Sequence, residues 1–402
     1  MSTGFDTGAE AAPKNDYSVL MFAGLYPPAY RGGGPIRTTF AIARTYSATT
    51  TFRVITSDHD WGENDPLNVA VDTWVQRDEA RVWYVRDNSL RSLFRAVRSA
   101  NRDALDFVYL NSFFSPIYSI IPAALFKIGL FGEAKLIVAP RGEFGSAARA
   151  YKSAKKNLFV KFCRLSRLHR NTTWHASSDI EAADVLRTFP GSKVIVRLNE
   201  STLPASALRY ETAEAGRTRL VYIGRIAEIK GVSILLAALR GIDSPVRLDI
   251  YGPCDDQAYL QACKELAEAL PKNIEISFND GVENSEVREL FANSDAFFLP
   301  TEQENFGHAI AESLSAGCPV YVADVTPWSE VIRSGGGAVV QSREVGAWHE
   351  ALVEFCALSN EELHARKLAT ADAYERWRAA QYGPSIFELA AREPWLQYRT
   401  SE

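Results

Sequence analysis

A chain of 402 residues, 47% of them apolar, carries enough nonpolar side chain for two ordinary cores and is too long for one. Its 49 acids against 44 Lys and Arg leave a formal charge of −5, and neither end bears a basic tail, so the overall field gives no reason to expect a nucleic-acid partner. Five cysteines, at 163, 254, 263, 318 and 356, form no CxxC pair, which argues against a disulfide framework or a zinc site and fits a reducing, cytoplasmic setting.

Residues 1–16, "MSTGFDTGAEAAPKND", are small and polar without an apolar h-region; they read as a disordered leader and not a secretory signal, with folding from Tyr17. Short β-rich runs then alternate with longer helical ones: "SVLMFAG", "TFRVITS", "RVWYV", "FVYLNS", "KLIVAP", "TTWHAS" and "KVIVRL". That alternation predicts an α/β domain with a parallel sheet over 17–200. After its first strand, "YRGGGPIRTT" places Gly32, Gly33 and Gly34 ahead of a helix, where the absence of a Cβ lets backbone amides approach phosphates. The third glycine of GxGxxG is missing and Pro35 suits a first helical turn, so this is no NAD fingerprint.

The stretch 113–131, "FFSPIYSIIPAALFKIGLF", is apolar but broken by Pro116, Pro122 and Lys127, and predicts a buried crossover helix instead of a membrane span. Further on, residues 149–170 hold eight Lys or Arg, with no acid from Phe144 to Ser178. At helical spacing Leu158, Phe162 and Leu165 share one side, expected to pack. The other side, with Lys152, Lys155, Lys156, Phe159, Arg167 and Arg170, is expected to face an anionic membrane, a merely solvated basic face being the alternative.

Residues 201–216 are polar and unpatterned and make the linker candidate. The alternation restarts with "RLVYIG", "VRLDIYG", "IEISF", "AFFLP" and "PVYVAD", predicting a second doubly wound domain over 217–382 and a cleft onto which both sets of strand ends open. In "LVYIGRIAEIKGVSILLAAL" a strand leads through Gly224 and Arg225 to Lys230 and Gly231 at a helix start. Two cations beside helix amides suit a diphosphate, which Arg grips bidentately. "AFFLPTEQENFGHAIAESLSAGCP" ends a strand at Pro300 and predicts a helix from Asn305–Gly307 to Gly317. Amides around Phe306, Gly307 and His308 can donate to hydroxyl or phosphate oxygens, and Glu304 beside them can accept from sugar hydroxyls. Glu312, two turns inside an otherwise small and apolar helix, can accept from the two hydroxyls of a ribose. A capping acid and a solvated helix glutamate are the plain alternative.

"ENFGHAIAE" resembles the Glu, seven residues, Glu motif of the retaining nucleotide-sugar glycosyltransferases of the GT-B superfamily, family four (group 1 type). "GRIAEIKG" resembles the Gly-Arg…Lys-Gly donor-phosphate loop of that family, while "AGCPVYVADVTPWSEVI" and "APRGEFGSAARAYKSAKKNLF" resemble bacterial members that build surface polysaccharides and lipopolysaccharides. The resemblance covers nearly the whole chain from Tyr17. It implies two Rossmann-like domains facing a central cleft, the first on the acceptor side and the second binding the donor. Residues 383–402 would form a last helix, kinked at Gly383 and Pro384, that crosses back to the first domain through Phe387, Trp395 and Tyr398.

The resemblance implies transfer with retention, without metal or cofactor, from a UDP- or GDP-type sugar to a lipid-linked glycan at the inner face of the cytoplasmic membrane. Catalytic roles then fall on Glu304, Arg225 and Lys230. Donor contacts fall on Gly33, Gly34, Arg225, Lys230, Phe306, Gly307, Glu312 and His308, the last through its backbone. Many relatives place a histidine in the first domain where this chain offers Asn111, Arg141 and Glu143; these are the acceptor-side candidates, with an Arg141–Glu143 strand-end ion pair as the alternative. Two other readings stay open: a nucleotide-sugar 2-epimerase of the same fold, and a non-enzymatic two-lobed sugar-binding protein.

Overall fold

The computed structural model describes residues 17–101, 103–145, 153–209, 216–254, 256–381 and 383–392. The expected leader, Lys152, most of the 210–216 part of the linker, Trp395 and Tyr398 lie outside these residues.

The first sheet is built from β1 (Tyr17–Ala23), β2 (Thr50–Ser57), β3 (Trp74–Gln76), β4 (Arg81–Val85), β5 (Phe107–Asn111), β6 (Lys135–Ala139), β7 (Thr172–Ala176) and β8 (Lys193–Val196), in the order β3-β4-β2-β1-β5-β6-β7-β8. Its pairings are parallel except for β3, which runs antiparallel to β4. The second sheet comprises β9 (Thr218–Ile223), β10 (Val246–Tyr251), β11 (Ile274–Asn279), β12 (Ala296–Leu299), β13 (Val320–Ala323) and β14 (Gly337–Val340), all parallel, in the order β11-β10-β9-β12-β13-β14. The chain is thus an α/β protein with two Rossmann-like domains. The strands β3 and β14 were not expected: each is three or four residues long and carries no periodic signal.

Successive residues of β1 go to opposite layers. Val19 and Met21 join one core cluster and Leu20 and Phe22 the other, so a strand covered on both faces reads as one unbroken apolar run. In each sheet the strand order reverses beside the first strand, between β1 and β5 and between β9 and β12. The crevice at such a switch point receives ligands, and the helices that follow β1 (Gly34–Tyr46) and β12 (His308–Ser315) meet there.

The long helix Asn360–Ala380 opens with a Ser359–Glu362 capping box. It stops before Pro384, which can neither donate an amide nor tolerate the preceding helical turn. The short helix Ile386–Ala391 that follows lies on the first sheet, with the Phe387 ring 5.6 Å from those of Phe52 and Phe107.

The 113–131 run forms two short helical pieces, Pro116–Ile120 and Ile121–Lys127, linking β5 to β6. Their burial is partial, and Ile128 just beyond is 76% exposed. Among the described residues no helix is long and apolar enough to cross a membrane.

Helix Ser153–Leu165 is turned opposite to expectation. Val160 and Cys163 are buried, and Phe159 packs 5.1 Å from the Phe113 ring, so Phe159 belongs to the core and not to a membrane-facing side. Leu158, Phe162 and Leu165 point outward at 70%, 60% and 85% exposure. Lys156 sets its ammonium 5.2 Å over the Phe114 ring, which ties it to the body of the domain, while Arg167 and Arg170 are exposed.

Candidate functional site

The centre in the second domain begins at Gly224, where β9 ends and Arg225 lies exposed. A single 3-10 turn, Glu228–Lys230, carries the chain to Gly231, which opens the helix Val232–Ala238 in the left-handed region (φ +74). A Cβ at Gly231 would stand 2.3 Å from the Pro300 carbonyl oxygen, so the β9 loop and the β12 loop touch where only glycine fits. That contact brings Lys230 to Glu304: Nζ lies 2.6 Å from Oε2, with both side chains less than one-fifth exposed. Lysine and carboxylate, 74 positions apart in sequence, form one unit.

The expected helix start is shifted by one residue. Gly307 (φ +80) is the N-cap, the helix runs His308–Ser315, and Gly317 (φ +66) follows its end. The Trp328 indole donates to the Phe306 carbonyl and clamps the loop from beneath.

The first domain closes over this loop. Both carboxylate oxygens of Glu312 lie 2.5 Å from Nη1 of Arg37, on the helix Gly34–Tyr46. Burial raises the Glu312 carboxyl above its usual range, and the Arg37 charge pulls it back only in part. Glu312, expected to accept from a ribose, accepts from Arg37 in this arrangement, with lone pairs left over for further donors. His308 reaches across with its ring, Nε2 lying 2.9 Å from Oγ1 of Thr38, and so contacts the opposite wall through its side chain and not merely its backbone. Desolvation, then the nearby Arg37 and Arg141 charges, hold its pKa well below the ordinary value, so the ring is neutral at pH 7. A Cβ on Gly34 would come within 3.2 Å of this ring, which places the glycine run against the loop that opens the His308 helix.

Arg141, itself left-handed (φ +51), donates to Oδ1 of Asn111 at 2.7 Å, to the Tyr109 hydroxyl at 2.6 Å and to Asn199. Asn111 and Arg141 are thus joined at the ends of β5 and β6. Glu143 is not with them. Its carboxylate accepts from Ser112 Oγ (2.8 Å) and from the amides of Phe113 (2.6 Å) and Phe114 (3.0 Å), so it fixes the β5 loop and does not pair with Arg141. Burial raises its pKa, against those donors. The Arg141 loop meets the other domain directly: a Cβ at Gly142 would fall 1.5 Å from Nδ2 of Asn305.

Arg37, Thr38, Asn305 and Trp328 were not singled out from the sequence. Arg37 did leave a signal, as the first cation after the glycine run. Also unsuspected was His175, buried in β7, whose Nδ1 lies 2.8 Å from the Tyr109 hydroxyl that supports Arg141. Among the described residues, one trio with ligating atoms within 4.8 Å of one another could hold a cation, Asp58, His59 and Asp87, and it belongs to the first domain at the ends of β2 and β4, not to the Lys230–Glu304 centre.

Residues 208–371 match the family model of glycosyl transferases, group 1, and this matched segment contains Arg225, Lys230, Glu304 and Glu312. D-inositol 3-phosphate glycosyltransferase of Mycobacterium tuberculosis is 26% identical over 163 residues, 39% of this chain and 34% of the relative. The chain therefore aligns with about a third of the length of the curated relatives it matches. Among solved structures, Anabaena HepE in complex with UDP and glucose superposes with a TM-score of 0.66 at 15% identity, covering 91% of this chain and 97% of that one. WaaG, a glycosyltransferase involved in lipopolysaccharide biosynthesis, gives 0.54 at 16% identity, covering 90% and 95%. The fold is GT-B.

Proposed function

We propose that the protein is a retaining glycosyltransferase that moves a hexose-type sugar from a nucleoside diphosphate sugar, of UDP or GDP type, to a lipid-linked glycan in bacterial surface polysaccharide synthesis. The observation that carries this reading is the Lys230–Glu304 unit at the junction of the β9 and β12 loops, faced across the cleft by Arg37, Thr38 and Gly34. Lys230, with Arg225 beside it, meets the charge that grows on the diphosphate as the glycosidic bond breaks. Glu304, oriented by Lys230, accepts from a sugar hydroxyl and stabilises the oxocarbenium-like ring. His308, being neutral, positions without adding charge. In front-face substitution the acceptor oxygen bonds to the anomeric carbon on the side the diphosphate leaves, and its proton passes to the departing phosphate oxygen, so no protein base is required. On this reading charge is met by side chains and no metal is needed.

The basic segment supports attachment to an anionic membrane, with an apolar side other than the one first expected. Leu158, Phe162 and Leu165 are the outward apolar side, with exposed Lys161, Arg167 and Arg170 on the same segment. Lys127 donates to the Ser166 carbonyl, which brings exposed Ile128 and Leu130 close to that helix end.

A panel of UDP- and GDP-sugars tests the donor reading by thermal stabilisation, since a ligand at a hundredfold over its Kd adds about 2.7 kcal/mol. NMR of the product from the stabilising donor and a glycan acceptor then decides the reaction. Retained configuration in a new glycoside supports the proposal. Epimerised donor without transfer would replace it with the 2-epimerase reading.

A further inference from the structure

The first domain holds a second concavity, of about 460 Å3, at the ends of β1, β2 and β4. Leu25 forms part of its wall and also underlies the glycine run, since its Cδ1 lies 2.3 Å from where a Cβ on Gly32 would stand. The pocket therefore adjoins the glycine run that borders the cleft. Its lining joins a half-exposed indole, Trp61 at 49%, to polar groups, among them Tyr118, whose hydroxyl donates to Oδ1 of Asn88 at 2.7 Å. An aromatic face beside fixed hydrogen-bonding groups suits a saccharide, whose C–H face is apolar and whose rim is hydroxyl.

The charge in this pocket is one-sided. Asp60, Glu63 and Asp87 line it. Asp60 is held by the amides of Tyr30 (2.9 Å), Arg31 (3.2 Å) and Trp61 (2.7 Å), which fix the carboxylate without supplying a cation. Glu63 is answered by Arg31 at 2.9 Å, and His59 is taken by Asp58 at 2.6 Å. Arg86, beside Asp87 in sequence, pairs with Asp72. Among the described residues, Asp87 has no basic side chain within ion-pair distance. Asp60 and Asp87 thus leave a negative field in a concave site, where field lines concentrate.

We propose that this pocket receives the end of the acceptor, and that it selects a neutral or amine-bearing saccharide over a phosphorylated or carboxylated one. The proposal rests on the transferase reading for the word acceptor. Hydroxyls and an ammonium donate to carboxylates, whereas a phosphate or uronate would place like charges side by side, which is how an interface rejects a wrong partner.

The test uses the full chain saturated with its nucleoside diphosphate, so that the donor site cannot take up phosphate. Methyl β-glucoside, glucosamine and glucose 6-phosphate are titrated by NMR, with wild type, Asp87→Asn and Trp61→Ala. Glucosamine should bind most tightly, the glucoside next, and glucose 6-phosphate at least tenfold more weakly than the glucoside. Asp87→Asn should remove the amine's advantage and narrow the phosphate deficit, and Trp61→Ala should weaken all three, with nucleotide binding and melting temperature unchanged in both variants. Glucose 6-phosphate binding as well as the glucoside, an order indifferent to Asp87→Asn, or nucleotide binding with no saccharide binding would each overturn the proposal while leaving the donor reading standing. Failure of wild type to bind either UDP or GDP would remove the donor reading and this proposal with it.

Discussion

Lys230 and Glu304 should behave as one group, and a double-mutant cycle measures whether they do. At the 2.6 Å separation of Nζ and Oε2, the gross Coulomb attraction is about 1.6 kcal/mol in a water-like dielectric and about 6 kcal/mol at an effective value of ~20. The side chains are 18% and 19% exposed, so much of the gain is offset by desolvation of both ions, and a net coupling of about 1 to 3 kcal/mol is expected. In kinetics, Lys230→Met should cost about 2 to 4 kcal/mol of transition-state stabilisation, the range for losing one donor to a developing anion. That is roughly 30- to 1,000-fold in kcat/KM. Glu304→Gln should lower kcat far more than it weakens nucleotide binding, because its interaction grows as the sugar becomes cationic. The double variant should then lose less than the sum of the singles, both in kcat/KM with the stabilising donor and in urea unfolding without it. Additivity within about 0.5 kcal/mol in both assays would mean that the pair does not act together, and the proposed centre would lose its main support.

Gly231→Ala, with its Cβ 2.3 Å from a backbone oxygen at φ +74, should destabilise the chain by about 1 to 3 kcal/mol; an unchanged urea midpoint would refute the close approach. Gly142→Ala should instead impair closure, lowering kcat/KM, and Asn305→Gly should restore part of it by removing the side chain in the way. His175 is depressed to about 3 by burial and by the Arg141 charge, so the native state resists protonation: its stability is present above pH 6.5 and is lost as pH falls from 6.5 toward 3, by up to about 1.4 kcal/mol per pH unit. Urea unfolding of His175→Gln at pH 7, 6, 5 and 4 should show a shallower loss than wild type, with a remainder from His308, which is shifted the same way. Replacing Leu158, Phe162 and Leu165 together by Ser should abolish sedimentation with anionic vesicles at low salt, whereas equal binding by the variant, or none by wild type, would discard the membrane role.

The strands were legible because parallel strands covered on both faces appear as continuous apolar runs, as in "SVLMFA", while β3 and β14 are too short to show any period. The second-domain loops were legible for a local reason: Gly224, Arg225, Lys230 and Gly231 lie within eight positions, and Glu304 to His308 within five. Their partnerships were not. Lys230 meets Glu304 across 74 positions and Arg37 meets Glu312 across 275, distances over which periodicity carries no information. Glu143 misled for a related reason, since a carboxylate two residues from Arg141 looks like its partner until the β5 loop offers it two amides and a hydroxyl.

The helix Ser153–Leu165 failed differently, and its failure bears on function. Periodicity separated Leu158, Phe162 and Leu165 from Phe159 and Cys163, then a rule for water-soluble helices assigned the side of Leu158, Phe162 and Leu165 to the interior. The interior instead takes Phe159, Val160 and Cys163, because Phe159 fits against the rings of Phe113 and Phe114. A helix with one core to face needs one apolar side, yet this one has two. The outer triad therefore lies outside what folding of the first domain requires, in a stretch free of acids from Phe144 to Ser178. Apolar side chains beside unbalanced cations match the depth and charge of an anionic lipid interface, so binding should require both features. Removing the triad should abolish it even at low salt, and raising salt should weaken it with the triad intact. Binding that survives both changes would place the attachment elsewhere on the chain.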